Sequence, residues 1–264
     1  MKKYVLLCFL CFCLHGLSHA QMYLKGYTGY ALSTGNEKLT SSEEINGNNY
    51  ASSYQLKFGQ GLNFGLSIGY ALNKNMALEI TGNTQLFSKF KYSKNFIHDP
   101  EVDYYWSCKG FFGDLEYSST MFQVSPQVVL RSDSYNQWTF YLKGGPDFAW
   151  ATCRRKKQTI AYDMPQTSTH IPSYLETVKY SGSINTGLQY SFGTEYELSK
   201  NICVFAEFTT VNMIYTFKRS KILQSERDGV DVMSELESTS FYDWDGKIMF
   251  SHAGLNIGLK YTFK

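Results

Sequence analysis

Charged residues recur inside otherwise apolar or small-residue segments of this chain, and they are the first candidates for chemistry. Six of them are the main candidates: Glu79, Arg131, Lys143, Asp147, Glu207 and Lys260. Lys25 and Glu195 are further candidates for the same environment. An isolated buried charge is strongly unfavourable, so we expect Glu79 and Glu207 to meet Lys143, Lys260 or Arg131. The pattern favours a structural network of charges over an ion path or a catalytic pair.

A second group of residues has the types needed for nucleophilic catalysis. Ser251 and His252 are adjacent, and the polar stretch before them carries Glu235, Asp243 and Asp245. A catalytic triad is defined by spatial arrangement, and this spacing is not diagnostic of one. We therefore predict no catalytic residues and a polar role for His252 at a strand end. The remaining histidines of the polar stretches, His98 and His170, stand alone, so we predict no metal site.

Segments that alternate apolar and polar residues must position these side chains, because successive side chains of a strand point to opposite faces. Eight such segments cover residues 22–32, 54–72, 76–87, 120–130, 138–151, 180–198, 202–216 and 250–263. The second segment sorts its residues clearly, with one face formed by Leu62, Phe64, Leu66 and Ile68. Such an apolar face contacts either lipid or, as in a soluble sandwich or lipocalin-like barrel, the protein's own core.

The connections between the segments alternate strictly between short and long. The short ones cover residues 73–75, 132–137 and 199–201. The long ones cover residues 33–53, 88–119, 152–179 and 217–249 and carry most of the charged residues. This alternation is typical of an up-and-down barrel with short periplasmic turns and long extracellular loops. We therefore predict an all-β fold, a single eight-stranded antiparallel transmembrane barrel whose apolar face contacts lipid.

The N-terminal residues 1–20 have the features of a cleaved signal peptide, which leaves residues 21–264 as the barrel domain. Lys2 and Lys3 precede a short apolar run, and Ser18-His19-Ala20 has the small-x-small form of a cleavage site. The 25 Lys and Arg residues less these two leave 23, against 23 Asp and Glu. The mature chain is therefore formally neutral, which argues against a nucleic-acid partner.

The layout resembles the small eight-stranded outer-membrane barrels of the OmpA-barrel, OmpX and OmpW type, over the whole mature chain. Two stretches carry the resemblance, "GLNFGLSIGYALNKNMALEI" at 61–80 and "GLNIGLKYTFK" at 254–264. Tyr261 and Phe263 fit the terminal signal read by the barrel-assembly machinery of such families, although Lys264 departs from it. The resemblance implies a location in the bacterial outer membrane, with that machinery, membrane lipids and lipopolysaccharide as partners.

Two of the long connections contain clusters that are candidates for surface contacts. Residues 103–112 read "DYYWSCKGFF" and residues 152–157 read "TCRRKK". We interpret the first as a loop over the barrel mouth and the second as a solvated charge patch facing lipopolysaccharide. A disulfide between Cys108 and Cys153 would tie the two loops together, and an exported protein permits it.

The functional prediction follows from architecture, because an eight-stranded barrel is barely wide enough for its own side chains. We expect a structural or surface-interaction role, namely envelope integrity or adhesion to an unidentified surface ligand through the long loops. The OmpW-like resemblance supplies an alternative, a narrow porin-like channel for small or hydrophobic solutes. Since some small outer-membrane barrels modify lipids, a lipid-modifying enzyme is the third reading. We predict that the chain is not an enzyme and holds no cofactor.

Overall fold

The computed structural model describes residues 21–35, 37–45, 48–56, 58–96, 111–161, 173–236 and 247–263. The predicted signal peptide at 1–20 lies outside the described residues. In this part of the chain, no helix has the length and apolar character that crossing a membrane requires.

Strands dominate the described residues. In chain order they are β1 (Gln21–Ser33), β2 (Glu37–Ile45), β3 (Asn48–Leu56), β4 (Gly61–Ala71), β5 (Met76–Phe87), β6 (Phe90–Phe96), β7 (Phe111–Arg131), β8 (Trp138–Ala161), β9 (Tyr174–Ser181), β10 (Asn185–Ser199), β11 (Ile202–Thr216), β12 (Arg219–Arg227), β13 (Val230–Asp231), β14 (Lys247–Met249) and β15 (His252–Thr262). One helical turn, α1 (Met233–Leu236), lies between β13 and β14.

Eight of these strands close into an antiparallel barrel. Their order around the ring is β1, β4, β5, β7, β8, β10, β11 and β15. The first strand closes the ring because it pairs on both edges, Tyr23 opposite Gly69 of β4 and Lys25 opposite Lys260 of β15. The predicted all-β, eight-stranded antiparallel barrel is confirmed.

The barrel strands coincide with the eight predicted segments, with two corrections. Residues 54–72 were predicted as one strand, but β3 ends at Leu56 and β4 begins at Gly61. Gly59 lies between them with a φ of 100°, a left-handed conformation that interrupts an extended strand. Residues 180–198 are divided in the same way, because β9 ends at Ser181 and β10 begins at Asn185.

The long connections contain more strand than the alternation predicts. Strands β7 and β8 continue past the predicted ends and pair as far as Phe111 opposite Ala161. Strand β6 pairs with the overhang of β7, β9 pairs with that of β8, and β12 pairs with β9. We call this five-stranded continuation of the wall the extended sheet. The described outer faces of β8, β9 and β12 in this sheet are charged rather than apolar, so apolar alternation did not predict them.

The short connections lie together at one end of the barrel, called the turn end, and the other end is called the loop end. In the first turn the Asn73 side-chain oxygen accepts hydrogen bonds from the backbone N–H groups of Asn75 and Met76, at 2.9 and 2.8 Å. The second turn contributes Asp133, whose carboxylate lies 3.0 Å from the ammonium of Lys74. Hydrogen bonding to Lys74 lowers the pKa of Asp133 below its ordinary value.

The two faces of the barrel wall differ in composition as the alternation predicts. Apolar side chains point outward and are exposed, among them Leu66 at 64% and Ile257 at 63%. Outward aromatic pairs lie near both ends: Trp138 and Tyr196 at the turn end, and Phe122 and Trp150 toward the loop end. The inner face carries polar and charged residues, which fill the barrel interior.

Candidate functional site

The barrel interior contains a layer of alternating charges near the turn end. Lys143 Nζ lies 2.8 Å from Glu79 Oε1 and 2.9 Å from Glu207 Oε2. Lys25 Nζ lies 3.4 Å from Glu79 Oε2 and 3.1 Å from Glu195 Oε1. The layer therefore forms a continuous chain in which lysines bridge carboxylates supplied by different strands.

The remaining predicted lysine extends this chain at one end. Lys260 Nζ lies 2.6 Å from Glu195 Oε2, so Glu195 is shared between Lys25 and Lys260. A buried ion pair is stable only when its geometry is good and its other hydrogen-bonding positions are satisfied. We call the six residues Lys25, Glu79, Lys143, Glu195, Glu207 and Lys260 the charge network.

Tyrosine and threonine hydroxyls supply the additional hydrogen bonds. Tyr23 donates to Glu79 over 2.9 Å, and Tyr141 donates to Glu207 over 2.9 Å. Thr209 donates to the second oxygen of Glu207 over 2.8 Å. The Tyr141 ring also lies 4.4 Å from Lys25 Nζ, a distance that allows a cation–π interaction.

Two small residues make room for these tyrosine rings. A Cβ atom on Gly69 would collide with the ring of Tyr23, which lies on the neighbouring strand β1. A Cβ atom on Gly193 would lie 2.5 Å from the ring of Tyr141 on β8. The inward glycines of the alternating segments are therefore sites of close aromatic packing.

Amides and hydroxyls occupy the next layer toward the loop end. Asn63 donates to the side-chain oxygen of Asn256 over 2.9 Å, and Asn256 donates to Thr209 over 3.1 Å. Asn83 donates to the side-chain oxygen of Gln123 over 3.1 Å. This layer contains Asp147, which is completely buried.

The carboxyl group of Asp147 is held by neutral donors. Gln123 donates to Asp147 Oδ2 over 2.6 Å, and the Ser125 hydroxyl donates to Oδ1. Among the described side chains, no Lys, Arg or His nitrogen lies within 4.0 Å of this carboxyl group. Asp147 therefore lies in the interior, as the alternation predicts, but outside the charge network.

Arg131 also lies apart from the charge network. Its guanidinium Cζ lies 4.7 Å from the centroid of the Tyr23 ring. Within the described ranges, no acidic side chain forms an ion pair with it. The structure thus brings together Glu79, Glu207 and Lys143, places Lys260 with Glu195, and leaves Arg131 stacked on an aromatic ring.

An apolar cluster closes the interior at the loop end, and we call it the apolar plug. Its members include Phe58, Phe87, Met121, Tyr180, Met213, Tyr215, Phe217, Ile248 and Phe250. The ring of Phe250 lies 5.3 Å, centroid to centroid, from both Phe58 and Phe87. Phe58 and Phe250 come from chain segments between strands, so these connections fold into the mouth rather than away from it.

Described side chains at the centre of each of the three layers are inaccessible to solvent. Lys25 in the charge network, Asp147 in the amide layer and Phe250 in the plug are each 0% exposed. Five plug residues, Cys153, Val178, Phe217, Ile222 and Ile248, come from the long connections, whose high content of charged residues gave no sign of a core.

The serine and histidine considered for catalysis point to different partners. His252 is buried, and its Nδ1 atom lies 3.0 Å from the carbonyl oxygen of Phe250. Ser251 Oγ lies 3.2 Å from Asn212 Oδ1. Asp243 and Asp245 lie outside the described residues, as does the side chain of Glu235. Over the described ranges, no group of three or more His, Cys, Asp or Glu side chains is arranged to hold a metal ion.

The cysteine proposed for a loop disulfide belongs to the apolar plug. Cys153 is buried there and forms no disulfide with a described cysteine. Cys108 lies outside the described residues, so the disulfide between them stays a prediction.

The extended sheet presents a second candidate site on its outer face. Arg154 of β8 lies directly opposite Lys179 of β9, which in turn lies opposite Lys221 of β12. Directly paired residues of antiparallel strands project to the same face. The three cations therefore form one row across three strands. Lys156 and Arg219 occupy the same face in the adjacent rows, and together these five residues form the basic face.

On the inner face of the same strands, the arginine has an acidic partner. Arg155 NH2 lies 2.7 Å from Glu176 Oε1, and its guanidinium lies 5.7 Å from the Tyr180 ring centroid. The run "TCRRKK" is therefore divided by strand alternation: Arg155 points inward to Glu176, and Arg154 and Lys156 point outward. The sequence indicated a basic patch, but it gave no sign that Lys179 and Lys221 extend it.

Comparison with known proteins gives one family match and several similar structures. A family model described as "Outer membrane protein beta-barrel domain" matches residues 4–263. The chain is similar to Neisserial surface protein A, with 10% sequence identity and a TM-score of 0.44, over 93% of this chain and 100% of that chain. It is also similar to a major outer membrane protein from Thermus thermophilus, with 9% identity and a TM-score of 0.45, over 93% and 100% of the two chains. A third similar structure is OprG from Pseudomonas aeruginosa, with 9% identity and a TM-score of 0.43, over 92% and 96%. None of the curated proteins matches the chain in sequence.

Proposed function

The chain belongs to the outer membrane protein β-barrel domain family, and from this premise we propose that it is a closed, membrane-embedded barrel that serves surface contact rather than transport. The observation that carries this proposal is the filled interior. Charged, polar and apolar layers follow one another along the barrel axis, and the residues at their centres are out of reach of solvent.

A conducting path through this interior would require the charge network to come apart. Removing one partner from a buried ion pair typically costs about 3–5 kcal/mol, because the other charge is left uncompensated. Four members of this layer, Lys25, Glu79, Lys143 and Glu195, each have two oppositely charged partners. The apolar plug would have to move as well, so thermal opening of the barrel is unfavourable at both levels.

The composition of the outer surface supports the proposal that the barrel is embedded in a membrane. Exposed aliphatic side chains cover the wall between the aromatic pairs at Trp138 and Trp150. About twelve residues of tilted β8 separate these tryptophans, which corresponds to about 30 Å along the barrel axis. That distance accommodates an apolar band of about 25 Å with aromatic girdles at both interfaces.

The extended sheet supports the role in surface contact. Strands β7 and β8 continue the barrel wall beyond the Trp150 level, and β6, β9 and β12 widen it. Hydrogen-bonded strands hold their side chains in fixed relative positions, which flexible loops do not. The protein thus offers a preorganised surface on the loop-end side of the membrane for contacts that support envelope integrity or adhesion.

Planar-bilayer recording on purified, folded protein tests the closed barrel. We expect no reproducible single-channel steps, while a general porin inserted into the same bilayers conducts. Heat-modifiable gel migration of the same preparation establishes that the barrel is folded. Discrete steps from folded protein would overturn the closed-barrel proposal in favour of the narrow channel.

Membrane fractionation tests the other half of the proposal. We expect the protein in the outer-membrane fraction, resistant to extraction by high salt or alkaline carbonate. Recovery of folded protein in the soluble fraction would show that the apolar outer surface has a different partner from lipid.

A further inference from the structure

The row formed by Arg154, Lys179 and Lys221 is unfavourable in isolation. Like charges directly opposite one another on neighbouring strands are destabilising. On the inner face of the same strands the chain supplies an acid for Arg155. On the outer face, no described acidic side chain lies within 4.0 Å of any of the five cations of the basic face. A set of fixed, adjacent cations without acids is suited to an anionic partner.

The neighbouring acid on this face is already paired. Glu116 lies opposite Lys156 in the pairing of β7 with β8, but its Oε1 atom lies 3.2 Å from Lys89 Nζ. Cross-strand spacing in a sheet is about 4.8 Å, so the row from Arg154 to Lys221 spans about 10 Å. This width matches a multiply charged anion better than a single carboxylate.

The position of the basic face indicates where the anion comes from. Arg154 follows the outward Trp150 by four residues on the same strand, which places it about 10 Å further along the barrel axis. Side chains at that level of an embedded barrel lie beside the lipid headgroups, just beyond the aromatic girdle. The face is also directed sideways from the wall, toward the surrounding leaflet, and not along the axis toward the medium.

We propose that the basic face binds the phosphate groups of a multiply phosphorylated lipid headgroup in the leaflet around the loop end of the barrel. This inference rests on the proposed membrane position and supplies a partner for the proposed surface contact. Arg154, Lys179 and Lys221 donate hydrogen bonds to the phosphate oxygens, and Lys156 and Arg219 add charge on either side. Bound phosphate neutralises the cross-strand repulsion and ties β8, β9 and β12 to the membrane surface.

The test measures binding of diphosphoryl lipid A to folded protein in zwitterionic detergent micelles. The triple variant R154Q/K179Q/K221Q loses three cations that attract the phosphate groups, so we expect affinity to fall on the order of a hundredfold. The charge-conserving triple variant R154K/K179R/K221R is the matched control, and its affinity should stay within about threefold of the parent. Binding should also weaken as salt rises.

Further probes identify the source of the anion. We expect inorganic phosphate and a soluble heparin fragment to bind the parent weakly and to compete poorly with diphosphoryl lipid A. Tighter binding of the heparin fragment would overturn the lipid assignment, and the face would then serve a soluble polyanion. Equal affinity of the parent and R154Q/K179Q/K221Q for diphosphoryl lipid A would overturn the inference altogether.

Two readouts keep this test separate from the proposed function. Heat-modifiable migration and bilayer conductance are measured on the same preparations. A folded, silent parent that does not bind diphosphoryl lipid A contradicts only the lipid site, and a conducting parent contradicts only the closed barrel. If the triple variant does not fold, K221E on β12 reverses one charge, and unchanged affinity in that variant overturns the inference.

Discussion

The Nζ atom of Lys143 lies 2.8 Å from the Oε1 atom of Glu79, and neither side chain is more than 1% exposed. The two residues belong to β8 and β5, which are not neighbours in the wall because β7 lies between them. The ion pair between Lys25 and Glu195 likewise joins β1 to β10 across the interior. The charge network therefore links non-adjacent strands of the barrel, in addition to the hydrogen bonds between adjacent strands.

Replacing Lys143 with Met should destabilise the barrel strongly. The substitution keeps much of the side-chain volume but leaves Glu79 and Glu207 without their shared cation, which predicts a loss of about 3–5 kcal/mol. Urea unfolding of the protein in phospholipid vesicles, followed by tryptophan fluorescence, measures the change. Lys200→Met, at the exposed third turn, is the control and should change stability by less than about 0.5 kcal/mol. A similar small effect for Lys143→Met would mean that the network does not stabilise the barrel.

Replacing Asp147 with Asn should be tolerated, in contrast to Lys143→Met. No described cation lies within 4.0 Å of Asp147, so none loses a partner. The amide of asparagine also retains an acceptor for the hydrogen bond from Gln123. We expect the free energy of unfolding to stay within about 1 kcal/mol of the parent value. The same urea titration measures it, and a loss as large as that of Lys143→Met would place Asp147 in an ion pair that the geometry lacks.

The barrel itself was predictable because the side-chain period of a strand is two and the connections alternate in length. That pattern assigned Leu66 to the outer face and Glu79 to the inner face, where the structure places them. The identities of the ion pairs were less predictable. Lys260 meets Glu195, and not Glu79 or Glu207, because the partner depends on which strands face one another and on their stagger around the ring. A single sequence carries neither quantity.

The extended sheet was not predictable from alternation, for a physical reason. Outside the apolar band both faces of a strand tolerate polar residues. The alternation of apolar and polar residues that identifies β8 as far as Trp150 therefore disappears in "TCRRKK". Only the pairing of Arg154 with Lys179 and of Lys179 with Lys221 reveals the row of cations. The row of cations exists only because three separate strands, β8, β9 and β12, pair side by side.

Replacing Gly69, a residue of the barrel wall, with Ala should disturb the charge network through Tyr23. The new Cβ atom would collide with the ring of Tyr23, whose hydroxyl donates to Glu79 over 2.9 Å. Overpacking of this kind predicts a loss of about 1–3 kcal/mol in the free energy of unfolding. Gly82→Ala on β5 is a matched control, since a Cβ atom there has its nearest neighbour at 3.9 Å. Equal stabilities of the two variants in urea titration would contradict the packing role of Gly69.

Replacing Gln137 with Gly should stabilise the second turn. Asn136 and Gln137 connect the bridged residues Tyr135 and Trp138, and their φ angles are 48° and 71°. Two consecutive left-handed residues define a type I′ hairpin turn, in which glycine is preferred at the second position.

Glutamine in this conformation carries a steric cost that glycine avoids, although glycine loses more backbone entropy on folding. The balance predicts a gain of about 0.5–1 kcal/mol for Gln137→Gly, measured by urea titration in vesicles. Gln137→Ala is the control, because it removes the same side chain but retains the Cβ atom, and it should leave stability unchanged within about 0.3 kcal/mol. If both variants gained equally, the effect would come from the side chain and not from the left-handed backbone.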